Sequence, residues 1–415
     1  MRIQLVPDTG RHEFLDLPWD RPLAKWDPSL LTVLERGISR HVVRFVERGG
    51  ALYALKEISE RLAHKEYRLL RMLRREGLPA VEPVGVVSDR PGIEDAILIT
   101  RHLDYSLPYR LMLARRPAAE VRDRLPVALA ELLVRLHLTG FWWGDCSLSN
   151  TLFARDAGAL AAYVVDVETA EQHDQLSDGQ RGHDLSIAEE NLIGELYDLE
   201  AELGGEELGD PVEMADTVRA EYERLWEDLT GEEEFDIGDA SRLEQRLRRL
   251  NERGYDVEEV ELEATEKGYR LRVRPQVVEP GHHRRRLQRL TGLDAQENQA
   301  RRLLDDLAAY RESLEAAGNR PVSDAAVAGR WLTDVFEPAV ATIPAELHGK
   351  RAAAELYHEL LDHRRWLSDR EARDVPLDEA IASYLETVLK GLPDERAVIA
   401  QPPAPREAAP AADED

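Results

Sequence analysis

Between residues 31 and 58 apolar and β-branched positions come in short runs, LTVLE and then VVRFVERGGALYALKEI, with Gly49-Gly50 splitting the longer one. Two such runs about a glycine pair predict a β-hairpin. The period then changes. In SERLAHKEYRLLRMLRR, Leu62, Tyr67, Leu69, Leu70, Met72 and Leu73 trace one face of a helix over 59–75, which Gly77-Leu78-Pro79 ends. VEPVGVV and DAILITRHL predict two further strands, and 107–115 and 118–138 are helical by period. A polar loop follows, then an apolar run over 161–165, then a helix for which Asp184 reads as the N-cap. Residues 1–25, with Pro7, Pro18 and Pro22, read as an irregular N-terminal extension.

From residue 211 onward helical periods dominate. Residues 206–244 are heavily acidic, and 257–262 and 269–273 around Glu266-Lys267-Gly268 predict a hairpin. Helices are expected over 297–314, 322–336, 352–366 and 378–389. The end, QPPAPREAAPAADED, is rich in proline, alanine and acid and reads as disordered. A chain of 415 residues exceeds one ordinary core. The expected division is an extension (1–25), a strand-rich lobe (26–100), a helical lobe (101–205), a mainly helical C-terminal domain (206–398) and a disordered acidic tail (399–415).

Composition narrows the function. At 43% hydrophobic and 33% charged residues the chain is globular, and a net charge of -27 argues against nucleic acid as a partner. The basic cluster over 281–286, GHHRRR, reads as a solvated helix start amid acidic surroundings. Cys146 is the single cysteine, so neither an intrachain disulfide nor a cysteine zinc site can form. The N-terminus lacks a signal-peptide apolar region and no run approaches a membrane span, so a cytoplasmic protein is expected. His358 and His363, with Glu355 and Glu359, do not have H-E-x-x-H spacing and read as core or surface residues.

Reactive residue types concentrate in FWWGDCSLSNTLFARDAGALAAYVVDVE, residues 141–168. Asp145 and Asn150 lie five apart in a loop after a helix, and Asp166 follows an apolar strand. Lys56 closes an earlier strand, and Glu66 follows ten residues later on the predicted helix, with Glu60 a second candidate. Singly, each has an ordinary explanation: Asp145 and Asn150 cap turns, Lys56 snorkels and the glutamates are solvated. Together, in this order, they supply the residue types that phosphoryl transfer needs.

WGDCSLSN and VDVE resemble the HGD-x-x-x-x-N-like loop and the D-x-[DE] motif of the protein-kinase-like superfamily, nearest to its bacterial lipopolysaccharide core kinase branch. The resemblance covers about residues 30–205, and the whole looks like a bacterial family that adds a private C-terminal domain. It implies an α+β, two-lobed protein-kinase-like fold followed by a mainly α-helical C-terminal domain containing a β-hairpin. ATP and Mg²⁺ follow as cofactors. Asp145 would be the catalytic base, Asn150 and Asp166 metal ligands, Lys56 the phosphate clamp and Glu66 its partner. Gly37 and Ser39 would sit in the turn over the phosphates, the backbone around Thr100 and His102 would meet the adenine, Leu152 would floor its pocket and Asp184 would brace the catalytic loop. The short stretch from Asp166 to Asp184 and the lack of A-P-E point to a small-molecule, lipid or saccharide hydroxyl as acceptor. The implied partners are a nucleotide, that acceptor and a protein partner of the C-terminal domain.

Two departures keep rivals open. Trp143 stands where a histidine usually braces the metal-binding segment, and the turn ERGISR keeps Gly37 but has Ser39 in place of the second glycine. A pseudokinase scaffold acting through its C-terminal half, or a kinase-fold ATPase switch, would fit them. Glu168 reads as a loop charge rather than an extra ligand, and His183 as structural.

Overall fold

The computed structural model describes residues 1–6, 11–33, 40–114, 119–203, 209–231, 233–236, 240–252, 254–257, 260–265, 268–273, 278–316 and 323–396. Its first lobe is an antiparallel sheet of β1 (Arg2–Leu5), β2 (Val42–Arg48), β3 (Ala51–Ser59), β4 (Glu82–Ser88) and β5 (Asp95–Arg101), in the order β1-β4-β5-β3-β2. The β2–β3 turn is made by Gly49 and Gly50 at φ 55° and 74°, the pair of positive angles that a two-residue hairpin turn requires. Helix α1 (Glu60–Arg75) follows β3 without a loop. Strand alternation splits the sheet's apolar residues between two cores. Ile97 and Ile99 face one side, whereas Ala96 and Leu98 join α1 on the other. Lys56 is registered opposite Leu98.

Two expectations for the N-terminal part are corrected. The run LTVLE is not a strand in the described residues: Thr32 alone bridges Phe45. The extra strand is instead β1, from a stretch that reads as irregular. Residues 11–31 are built into the lobe, with Phe14, Leu17, Trp19, Leu23 and Trp26 buried against the sheet. Arg90 holds this wrap in place, donating to Trp19 O at 2.7 Å and to Glu57 Oε1 at 2.6 Å.

The second lobe comprises β6 (Ser106–Pro108), α2 (Tyr109–Ala114), α3 (Ala119–Leu138), β7 (Phe141–Trp142), β8 (Thr151–Asp156), β9 (Ala159–Val164), β10 (Glu171–Gln172) and α4 (Asp178–Glu202). Helix α4 starts earlier than expected. Ser177 is its N-cap, in a reciprocal capping box with Gln180, so Asp184 lies inside the helix, free to point at the loop after β7. The lobe's apolar core continues past residue 205 into α5 (Pro211–Thr230), through Met214, Val218, Tyr222, Leu225 and Leu229, and on to Tyr255.

Beyond α5 lie β11 (Glu233–Asp236), α6 (Ala240–Glu252), β12 (Tyr255–Val257), β13 (Val260–Thr265), β14 (Gly268–Val273) and β15 (Val278–Pro280). The expected hairpin is β13–β14, to which β11 adds a third strand. Helices α7 (His282–Thr291), α8 (Glu297–Ala316), α9 (Asp324–Trp331), α10 (Glu337–Ala341), α11 (Ala353–Glu371) and α12 (Leu377–Thr387) enclose a second core running from Leu287 to Leu389.

This helical part is seated on the β8–β9 turn and on the segment after β5. Arg155 makes a two-pronged contact with Glu395, Asp156 accepts from Gln299 N at 2.8 Å and Asn298 Nδ2 at 3.0 Å, and Ala157 N donates to Glu355 at 2.9 Å. Tyr163 O–H reaches Gln296 at 2.6 Å and Tyr105 O–H reaches His348 O at 2.9 Å. A cavity of about 280 Å³ remains at this junction, lined by His102, Tyr105, Arg155, Tyr163 and Glu355 among others. The histidine and glutamate pairs of α11 are engaged separately: His358 with Asp362, His363 with Ser383, Glu359 with Arg351. Among the described residues no helix is long and apolar enough to cross a membrane.

Candidate active site

Because α1 follows β3 directly, Lys56 and Glu66 face each other. Glu66 sits on the buried stripe of α1 with Ala63, Tyr67 and Leu70 and is itself buried. The Lys56 ammonium donates to Glu66 Oε1 at 2.9 Å and to Asp166 Oδ2 at 2.6 Å. Glu60 instead lies 3.9 Å from His64. Burial works to lower the Lys56 pKa, but the Asp166 and Glu66 carboxylates outweigh it and the net shift is upward. Burial, followed by the Asp166 charge, pushes Glu66 up to about 7.

Asp184, buried within α4, organises the loop that carries Asp145 and Asn150. It accepts from Trp143 N and Gly144 N, both at 2.8 Å, and from His137 Nε2 at 3.1 Å. With that nitrogen donating, His137 Nδ1 is left to accept from Tyr222 O–H at 2.8 Å, so α3, α4 and α5 are tied together beneath the loop. Gly144 has φ 72°, and a Cβ there would come within 2.6 Å of the Trp142 ring. The Trp143 side chain is buried and donates its indole N–H to Asp166 O at 2.8 Å. The tryptophan therefore braces the segment that carries Asp166.

Asn150 Nδ2 donates to Asp145 O at 3.0 Å and Asp145 Oδ2 at 3.1 Å. Two acceptors on that side fix the amide's orientation and leave its Oδ1 facing the other way. Burial raises the Asp145 pKa, against the opposing pull of Arg40, whose Nη2 lies 3.4 Å away, and of Asn150. Two supporting residues had gone unread. Asn191 Nδ2 donates to Cys146 O at 3.0 Å and Asp145 Oδ1 at 3.4 Å, and Glu195 accepts from Leu148 N at 2.7 Å and Ser149 N at 3.1 Å. Their signal was present: Asp184, Asn191 and Glu195 recur along one helix face, beside the apolar stripe of Leu185, Leu192 and Leu196.

Glu168, expected as a loop charge, lies in the acidic cluster. His41 Nε2 reaches its Oε2 at 2.8 Å, Lys65 donates to its backbone O at 2.8 Å, and Lys56 is 3.9 Å away. Glu66, Asp166 and Glu168 offer oxygens within 4.8 Å of one another, and Glu66 Oε2 is buried without a hydrogen-bond partner. An all-oxygen, anionic donor set of this kind suits a hard cation such as Mg²⁺.

On the adenine side, Thr100 lies in the ladder opposite Ala54, and His102 N donates to Leu52 O at 2.8 Å. That amide extends the strand. Leu152 on β8 is registered opposite Tyr163 and Pro108. Gly37 and Ser39 lie outside the described residues.

Residues 50–194 match the lipopolysaccharide kinase (Kdo/WaaP) family. Residues 50–194 are thus lipopolysaccharide kinase-like. Residues 224–389 match a domain of unknown function, DUF4032. The kinase-like match contains Lys56, Glu66, Asp145, Asn150, Asp166 and Asp184, and the second match begins within α5, which packs into the module's own core. Among solved structures the chain is similar to WaaP in complex with acyl carrier protein, at 19% identity and a TM-score of 0.38, over 60% of this chain and 98% of that one. It is also similar to an aminoglycoside-3'-phosphotransferase of type VIII, at 18% identity and a TM-score of 0.34, over 48% and 86%. No curated protein matches the chain.

Proposed function

We propose that the kinase-like module transfers the γ-phosphoryl group of ATP to a hydroxyl of a small-molecule, lipid or saccharide acceptor. The observation that carries this reading is the linked set Lys56–Glu66–Asp166, joined through the Trp143 indole to the loop that presents Asp145 and Asn150. Glu66 holds the ammonium of Lys56 where it can meet the phosphates. Asp145, oriented by Asn150 and Asn191, takes the acceptor's hydroxyl proton onto its carboxylate, and its raised pKa favours that step. Asn150, through Oδ1, and Asp166, with Glu168 adjoining, would hold Mg²⁺, which when bound neutralises charge on the phosphate oxygens.

Asp166 is separated from the α4 N-cap Ser177 only by a short segment with the two-residue β10, which offers little bed for a peptide and supports a non-protein acceptor. A scaffold reading drew on Trp143 in place of histidine, and the indole bond to Asp166 O weakens that ground. The helical C-terminal part, docked at Arg155, Asp156, Ala157 and Tyr105, is assigned to holding the hinge side of the module and offering a protein-binding surface. A cytoplasmic location, where ATP is supplied, belongs to the same proposal. The test is Mg²⁺-dependent stabilisation by ATP, expected in the wild type and absent from Asp166→Ala.

A further inference from the structure

We infer that Arg40 is the residue that grips the γ-phosphate, serving as a catalytic cation that neither the catalytic motifs nor the region matching the kinase family contains. The inference rests on the phosphotransferase reading above. Arg40 stands two residues before β2, on the sheet lobe, yet its guanidinium crosses to the loop after β7 and lies 3.4 Å from Asp145 Oδ2. The base must touch the acceptor hydroxyl, and that hydroxyl must lie in line with the phosphoryl group it attacks. A cation in contact with the base is therefore next to the transferring group.

Charge bookkeeping singles out the same residue. The cleft collects Glu66, Asp145, Asp166 and Glu168. Lys56 is held by Glu66 and Asp166, and His41 and Lys65 are both held by Glu168. Arg40 has the looser hold, a contact at hydrogen-bond limit from a side chain 76% exposed, of the kind that contributes little to stability. It can leave Asp145 at small cost when a polyanion arrives. A planar guanidinium fork matches the paired oxygens of a phosphate better than those of a lone carboxylate that Asn150 and Asn191 already hold. Arg40 then moves from base to phosphate, freeing Asp145 for the acceptor proton while spreading positive charge over the γ-oxygens.

The experiment is calorimetric titration of the full chain with ATP and with ADP, each with Mg²⁺, for the wild type, Arg40→Ala and Arg40→Lys. Because Arg40 is exposed, neither variant threatens folding. One charge-assisted contact to the γ-phosphate predicts that Arg40→Ala weakens ATP binding roughly tenfold to a hundredfold while ADP binding stays within about twofold, with Arg40→Lys between. Equal losses for both nucleotides, or no loss for either, would overturn the assignment while leaving the phosphotransferase reading in place. A wild-type chain that binds neither nucleotide would overturn both.

Discussion

Replacing Trp143 by phenylalanine keeps a buried aromatic ring but deletes the indole N–H that reaches Asp166 O at 2.8 Å. Losing one partly buried hydrogen bond costs about 1 kcal/mol, and truncating a fully buried ring in a packed core adds about 1–2 kcal/mol. Trp143→Phe should therefore lower unfolding stability by about 2–3 kcal/mol, read from urea denaturation midpoints at unchanged slope. The functional effect is separable. The freed carbonyl belongs to Asp166, whose carboxylate is 2.6 Å from Lys56, so loosening that backbone shifts the proposed metal ligand and the proposed phosphate clamp together. An error on the order of 1 Å at such a site is costly, and ATP affinity in the presence of Mg²⁺ should fall by about tenfold. Trp143→His retains a ring N–H in a smaller ring, and it should recover part of the affinity without recovering the stability. A phenylalanine variant that loses stability yet binds ATP and Mg²⁺ like the wild type would refute the reasoning and reduce Trp143 to packing.

At the junction, Arg155→Ala leaves Glu395, a side chain only 2% exposed, with Arg351 as its remaining partner at 2.9 Å. Stability should fall by about 2–3 kcal/mol and be partly restored by adding Glu395→Gln, measured as a double-mutant cycle. Asp156 is buried, and burial, only partly offset by hydrogen bonds from Gln299 and Asn298, raises its pKa to about 6 from an ordinary value near 4. The folded chain then holds this proton more tightly than the unfolded one, so the group's contribution is largest below the unfolded pKa and is lost as pH rises through 6. Relative to Asp156→Asn, the wild type should gain up to about 3 kcal/mol as pH falls from 7 toward 4, and a gain in the opposite direction would count against the burial argument.

Much of the site was legible because its parts are local. The Gly49-Gly50 pair sets the hairpin, and ten residues between Lys56 and Glu66 place both on facing sides of β3 and α1 since no loop intervenes. The Asp145 to Asn150 spacing survives as a direct hydrogen bond. What escaped has physical reasons. Strand β1 has four residues, too few for an alternation to register, and it is defined by pairing with β4 about eighty residues away. Asp184 was misplaced as an N-cap because Ser177 and Gln180, three apart, carry the capping box that starts α4 two turns earlier. The role of Trp143 could not be read from residue type, since only the fold brings its indole N–H to the carbonyl of Asp166, 23 residues on. The seating of the helical part depends on pairs such as Arg155 and Glu395, 240 residues apart, which no local pattern encodes.

The most direct measurement is a thermal-shift titration with ATP, with and without Mg²⁺, on the wild type and Asp166→Ala. At about 100 times its dissociation constant the nucleotide should stabilise the wild type by roughly 2.7 kcal/mol, a shift of a few degrees. The phosphotransferase reading predicts that this shift requires Mg²⁺ and disappears in Asp166→Ala. No shift in the wild type at millimolar ATP, or one that persists without the Asp166 carboxylate, would contradict it.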